Sequence, residues 1–321
     1  MRTSTHRRKP VRLAIATVSA AVGTAIFGGA VPANADIVTA QTAGVDESAT
    51  FVEAATGTAD IAATVAAAGT PAKAFTATGG GSVTVTAPDR ANGTVSATTG
   101  EGSSFGLSLP GAEDVEGIKA GTGTVVYTDA ATATDIAVQP TTNGGARTLL
   151  TLKDDEAPTA QRFELHLPVE TEAVDNGEGG YDLIRLGDDG KPAITVGTID
   201  APWAKDAHGK DIPTRYRLEG NTLVQTVDTQ SNTVYPVVAD PKFDWGIVTG
   251  TLYFNKSETR KAVESGGFLT AAAAMIPGPG APSAVTIAGW STMAAIAQRH
   301  GKCLKINTWL KPNEYSGGYC R

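Results

Sequence analysis

The chain has 321 residues, with 26 Lys/Arg against 33 Asp/Glu, a formal net charge of −7 and only 6% aromatic residues. That length suits two domains plus a linker, and the acidic balance argues against a nucleic-acid partner, which calls for a basic footprint. Thirty-seven glycines with frequent Thr and Ala favour short strands and turns over long helices, with a core built mostly of Val, Leu, Ile and Ala.

The N-terminus reads as an export signal. Arg2, Arg7, Arg8, Lys9 and Arg12 form a basic head, and Leu13 to Val31 is uncharged and apolar. Ala33-Asn-Ala35 then offers small residues at the spacing of a cleavage site, placing the cut between Ala35 and Asp36. A retained membrane helix is the competing reading, but Gly23, Gly28, Gly29 and Pro32 interrupt the run. Arg7-Arg8 hints at the twin-arginine route, yet Lys9-Pro10 follows where a hydrophobic pair is wanted, so ordinary export is the expectation. Residues 1–35 are therefore a signal peptide, and the mature protein is expected outside the cell.

Residues 36–81 are Ala/Thr-rich and read as a partly disordered spacer, with Ile61 to Ala68 as a helical turn or two. From Ser82 the apolar period becomes two. Ser82–Thr86 and Thr94–Thr98 alternate across Asn92-Gly93, a hairpin signal, and Phe105–Leu109 is a third strand. Gly102-Ser-Ser104-Phe-Gly106 matches the serine-hydrolase elbow in letters only. That motif works where a strand turns into a helix, and Leu107-Ser-Leu-Pro110 is no helix start.

Further strands are expected at Thr124–Tyr127, Asp135–Val138, Arg147–Leu152, Arg162–Leu167, Tyr181–Leu186, Ala193–Val196, Thr214–Leu218, Thr222–Val227 and Val234–Val238. Asn143-Gly144-Gly145 joins two of them as a hairpin. Many short strands with a turn every ~8–12 residues indicate a sandwich or an open barrel. His166 falls on the polar side of its strand and His208 in a turn; neither has a catalytic partner in sequence. Asp154, Asp155 and Glu156, like Asp188 and Asp189, form acidic turns without the spacing of a calcium loop.

Several of these segments together resemble a known module. They are Thr134-Asp-Ile-Ala-Val138, Thr148-Leu-Leu-Thr-Leu152, Pro202-Trp-Ala-Lys-Asp-Ala-His-Gly209 and Tyr235-Pro-Val-Val-Ala-Asp-Pro241. The stretch of about 121–241 resembles the β-rich module of large secreted proteins in high-GC Gram-positive bacteria, often found upstream of Rhs/YD repeats. The resemblance implies an extracellular structural β-domain without catalytic residues. No repeat region follows here, so it implies no toxin delivery.

Beyond Pro241 the character changes. Gly246–Phe254 reads as a strand, and Ser257 as the cap of a helix from Glu258 to Val263 that ends at Gly266-Gly267. Phe268–Ile276 and Ala284–Gln298 read as apolar helices split by Pro277-Gly-Pro-Gly-Ala-Pro282. Residues 265–298 hold no charged side chain at all. Cys303 and Cys320, the only cysteines, read as a disulfide in an oxidising compartment, worth roughly 3 kcal/mol by chain entropy. The match of Lys256-Ser-Glu-Thr259, Gly301-Lys-Cys-Leu-Lys-Ile306 and Tyr315-Ser-Gly-Gly-Tyr-Cys320 makes this tail similar to a small secreted domain of the same bacteria, with no activity attached.

The charge is divided. Residues 242–321 carry nine Lys/Arg and four Asp/Glu, net +5, whereas 36–241 carry twelve and twenty-nine, net −17. The expected organisation is thus a mainly β module at 82–241 and a small cationic, disulfide-bonded α+β domain at 242–321 containing a helical hairpin. The expected function is a secreted, non-enzymatic interaction protein without cofactor or metal. Its acidic scaffold presents the basic unit to an anionic wall or envelope component or to a protein partner. The alternative is a membrane-active, bacteriocin-like effector acting through the uncharged hairpin 265–298, with contact to a membrane surface.

Overall fold

The computed structural model describes residues 34–66, 69–78, 81–246, 250–276 and 282–321. Residues 1–33 of the proposed signal peptide and the Pro277–Ala281 part of the hairpin break lie outside them; Ala35 and Asp36 fall at the start of a helix.

Two antiparallel sheets face each other. The smaller has seven strands, spatially ordered from Ala72–Thr78 through Gly81–Ala87, Thr94–Thr99, Ser104–Ser108, Ala160–His166 and Thr222–Val227 to Thr214–Glu219. The larger has thirteen. At its centre Thr134–Pro140 pairs Gly145–Leu152, which pairs Lys242–Trp245, which pairs Ala193–Ile199. The sheets do not close on one another into a barrel, and their two layers face each other as in a sandwich. Phe105 of the smaller sheet clamps them: its ring lies 4.9 Å from Phe243 and 5.6 Å from Trp245 of the larger. Offset and edge-on ring pairs of this kind add to the burial of large side chains.

The glycine pair of the 143–145 hairpin divides the labour. Gly144 turns the chain at φ +91. At Gly145 an added Cβ would lie 1.9 Å from the carbonyl oxygen of Phe243, so only glycine lets the central strand approach.

The described residues also form four α-helices: α1 (Asn34–Thr56), α2 (Lys256–Glu264), α3 (Gly266–Ala273) and α4 (Ala284–Arg299). The segment read as a spacer contains α1. Its Val45, Ala49 and Val52 bury against Val126, Ala137, Leu149 and Val238 on the outer face of the larger sheet. Polar bonds reinforce the docking, since the Thr124 hydroxyl donates to Glu53 (2.8 Å). Alanine-rich sequence without charged blocks is compatible with a helix once a sheet supplies the apolar partner. Of the Ile61–Ala68 turn, residues 67 and 68 lie outside the described residues; over 61–66 no helical turn forms, and Ile61 and Val65 make isolated bridges to Thr141 and Lys73.

The sequence boundary at 241/242 falls inside a sheet. Lys242–Trp245 is a central strand, Leu252–Tyr253 pairs Ala193–Ile194, and Cys303–Ile306 and Pro312–Tyr315 extend the same sheet to its edge. Helices α2–α4 cover this extension on the face that elsewhere packs against the smaller sheet: Ala262, Leu269, Trp290 and Ala294 share one core with Phe254, Leu304 and Ile306. Two local expectations change. Asn255, not Ser257, caps α2, and Gly266-Gly267 opens α3 behind the Ser265 cap instead of ending a helix.

Candidate functional site

The C-terminal unit is built around a buried acid. Asn255 and Glu258 form a reciprocal capping box at the start of α2. Glu258 is 3% exposed; its Oε2 accepts from the Asn255 backbone (2.9 Å) and its Oε1 from the Tyr319 hydroxyl (2.7 Å). Burial raises its pKa above the ordinary carboxylate range. Tyr319 belongs to the terminal segment that the Cys303–Cys320 disulfide fastens, with a Cα separation of 5.6 Å. The Tyr315 hydroxyl donates to the Phe254 carbonyl (3.0 Å), and Arg321 pairs with Glu172 of the β-module. Capping box, disulfide and terminal ion pair thus pin the tail to the sheet.

The uncharged hairpin is half inside this unit. Leu269, Ala272, Trp290, Ala294 and Ala297 are buried, while Thr270, Ala271, Val285, Ala288 and Thr292 face solvent. Trp290 is 1% exposed and its indole N–H donates to the Leu310 carbonyl (2.9 Å). Among the described residues no helix is long and apolar enough to cross a membrane.

The tail's cations fall into two groups. Lys242 sits between Asp200 (2.9 Å) and Asp244 (3.2 Å), Lys302 pairs with Glu314, and Lys305 donates to the Asn176 carbonyl (3.0 Å). Lys256, Arg260, Lys261, Arg299 and Lys311 are exposed and form no ion pair with a described side chain.

The motif residues of the β-module serve the fold. Asp240 is fully buried at the end of Val237–Ala239; its Oδ1 accepts from the Trp203 backbone (2.9 Å). Its Oδ2 and the facing Tyr216 hydroxyl lack well-formed hydrogen bonds. Burial pushes the Asp240 carboxyl up to about 7, and nearby Asp200 adds to the shift. Asp206, in the same connection as Trp203, accepts from the backbones of His208 (2.9 Å) and Lys210 (3.0 Å) and so ties its turn. Pro202–Gly209 and Tyr235–Pro241 therefore meet through Asp240, fastening the crossover that carries the chain from the larger sheet to the smaller.

Candidate chemistry is sparse. Ser104 begins a strand and shares a hydrogen bond with Thr98 (3.0 Å). A pair that the sequence analysis missed is Ser108 Oγ and His166 Nε2, 2.7 Å apart on adjacent strands, with Thr94 bonded to the same hydroxyl (3.2 Å). The register Gly106↔His166 brings them together across 58 residues, a juxtaposition that no local signal encodes. The pair lies on a flat, solvent-facing sheet surface, and no acidic partner for the ring's other nitrogen is among its described contacts. It reads as a cross-strand polar contact. His300 bonds Glu314 (2.7 Å). Asp154 accepts from its own loop at Glu156 (2.9 Å), and Asp188 opens a single 3-10 turn. Among the described residues no three His, Cys, Asp or Glu side chains are grouped to hold a metal ion. An open cleft of ≈ 370 Å³ at one end of the sandwich presents Glu101, Ser103, Arg185 and Trp245, without an imidazole or thiol among its described lining residues.

No family model, curated protein or solved structure matches the chain.

Proposed function

We propose that this protein is a secreted, non-enzymatic interaction protein whose acidic β-body presents a rigid cationic C-terminal unit to an anionic component of the cell wall or envelope, or to an acidic partner protein. The observation that carries the reading is the division of the tail's cations. Some are consumed by internal pairs, while Lys256, Arg260, Lys261, Arg299 and Lys311 are exposed and form no ion pair among the described side chains. Like charges kept on a pinned surface favour association with an opposite field. The export signal, the disulfide and the resemblance to secreted β-modules support an extracellular setting.

The test uses the whole mature chain, because its tail shares a sheet with the body. The protein is expected to bind anionic wall fragments at ~0.05 M salt and to leave them by ~0.5 M, where screening is several-fold shorter in range. The triple change Lys256→Gln, Arg260→Gln and Lys261→Gln should weaken binding without lowering the melting temperature. Salt-independent binding, or binding indifferent to the triple change, would refute the reading. Release of dye from anionic vesicles would favour the effector acting through hairpin 265–298 instead.

A further inference from the structure

The Asn307–Lys311 turn exposes a tryptophan by construction. Asn307 organises it: its carbonyl accepts from Leu310 (2.8 Å), and its Oδ1 accepts from the backbones of Trp309 (3.1 Å) and Lys311 (3.0 Å). Leu310 adopts φ +60, a left-handed conformation that non-glycine residues take only when their surroundings impose it. That conformation directs the Leu310 side chain to the core, and Trp290 of α4 clamps its carbonyl. Trp309 is left 83% exposed, with exposed Lys311 two residues on. Val285, on the first turn of α4, is 82% exposed. The other three tryptophans are buried or half-buried.

We propose that the Asn307–Lys311 turn docks on an anionic phospholipid bilayer, with the Trp309 indole at headgroup depth and the exposed Lys311 beside it facing the lipid phosphates. This rests on the proposed function and names the anionic partner. Indoles favour the membrane–water interface because the ring is apolar while its N–H needs a polar neighbour. Exposed Lys and Arg supply the complementary charge. One indole with an adjacent cation suits weak, reversible surface binding, and the hairpin need not unfold, so Trp290 keeps its bond to Leu310.

The experiment is partition of the full mature protein onto phosphatidylglycerol-containing vesicles at low salt, with pure phosphatidylcholine vesicles as the neutral comparison. Binding is expected on the anionic vesicles alone, with a blue shift in tryptophan emission that Trp309→Phe abolishes. Bromine-labelled lipid should quench the wild type and spare the variant. Trp309→Ala should weaken partition about tenfold, and Lys311→Gln up to about fivefold. Exposure at position 309 means both variants should keep the wild-type melting temperature. Absence of vesicle binding, or a Trp309→Ala variant that binds as well as wild type, overturns the proposal. Salt-sensitive capture by wall fragments without vesicle binding sinks this inference and leaves the broader function standing; failure on both surfaces sinks the two together.

Discussion

The two sheets of this protein are built from similar residues and lead different lives. In the larger sheet every residue of Thr134–Pro140 is buried, and so is nearly all of Gly145–Leu152. One of its faces packs on the smaller sheet and on α2–α4, and the other takes α1 at one end and the disulfide-fastened tail at the other. The smaller sheet is covered on one side. Ala160–His166 alternates exposed and buried along its length, and its outward side carries Thr84, Ser96, Thr98, Ser104 and Ser108 in at least partial contact with solvent. A strand buried on both faces loses its alternation, and a strand buried on one keeps it. The comparison teaches that the protein organises itself around the larger sheet, and that the cationic tail is part of that sheet.

Paired truncations test the difference most strongly. Phe163→Ala in the smaller sheet should cost about 3–5 kcal/mol, whereas its neighbour Glu164→Ala should stay within ~0.5 kcal/mol. In the larger sheet Leu149→Ala, under α1, and Leu150→Ala, facing the sandwich core, should each cost about 2–5 kcal/mol. Denaturant unfolding of the four variants measures this. A Leu149→Ala cost below ~1 kcal/mol would mean that α1 leaves the sheet open.

The second effect concerns the crossover between the sheets. The folded chain holds a proton on Asp240 up to about pH 7, whereas an unfolded aspartate releases it near 3.8. Stability from this group is therefore fully present below about pH 4 and declines as pH rises toward 7, by roughly 4 kcal/mol at most. Asp240→Asn should flatten that slope and raise the melting temperature at pH 8 relative to wild type. An unchanged slope would show that the site hydrates and does not tie the sheets.

The disulfide secures the far end of the larger sheet. Cys303→Ala with Cys320→Ala should cost about 3 kcal/mol, given the 17-residue separation. Hydrogen exchange should rise first in Cys303–Ile306 and Pro312–Tyr315, with the smaller sheet unaffected. Last, Thr98→Val on the solvent-facing side of the smaller sheet should change stability by less than ~0.5 kcal/mol. A larger penalty would mean that this face is covered in the native assembly.

The sequence by itself determined most of the strands and the one-sided character of the smaller sheet, because alternation with period two is a local property. It also determined the cysteine pair, the first helix of the tail though not its capping residue, and the division of charge. The strands it hid had little apolar signal. Ala72–Thr78 turns Ala74 inward and Phe75 outward, and Thr171–Asp175 buries only Val174. The tertiary structure alone decided sheet order, the docking of α1, the merging of the tail with the body, and the meeting of Asp240 with Trp203 across 37 residues. It also decided which tryptophans are hidden. Trp290 and Trp309 are alike in composition, but a left-handed Leu310 and a bond to Trp290 send one inward and the other out. Such outcomes depend on which distant surfaces come together to exclude water, and a linear pattern does not encode that partner choice.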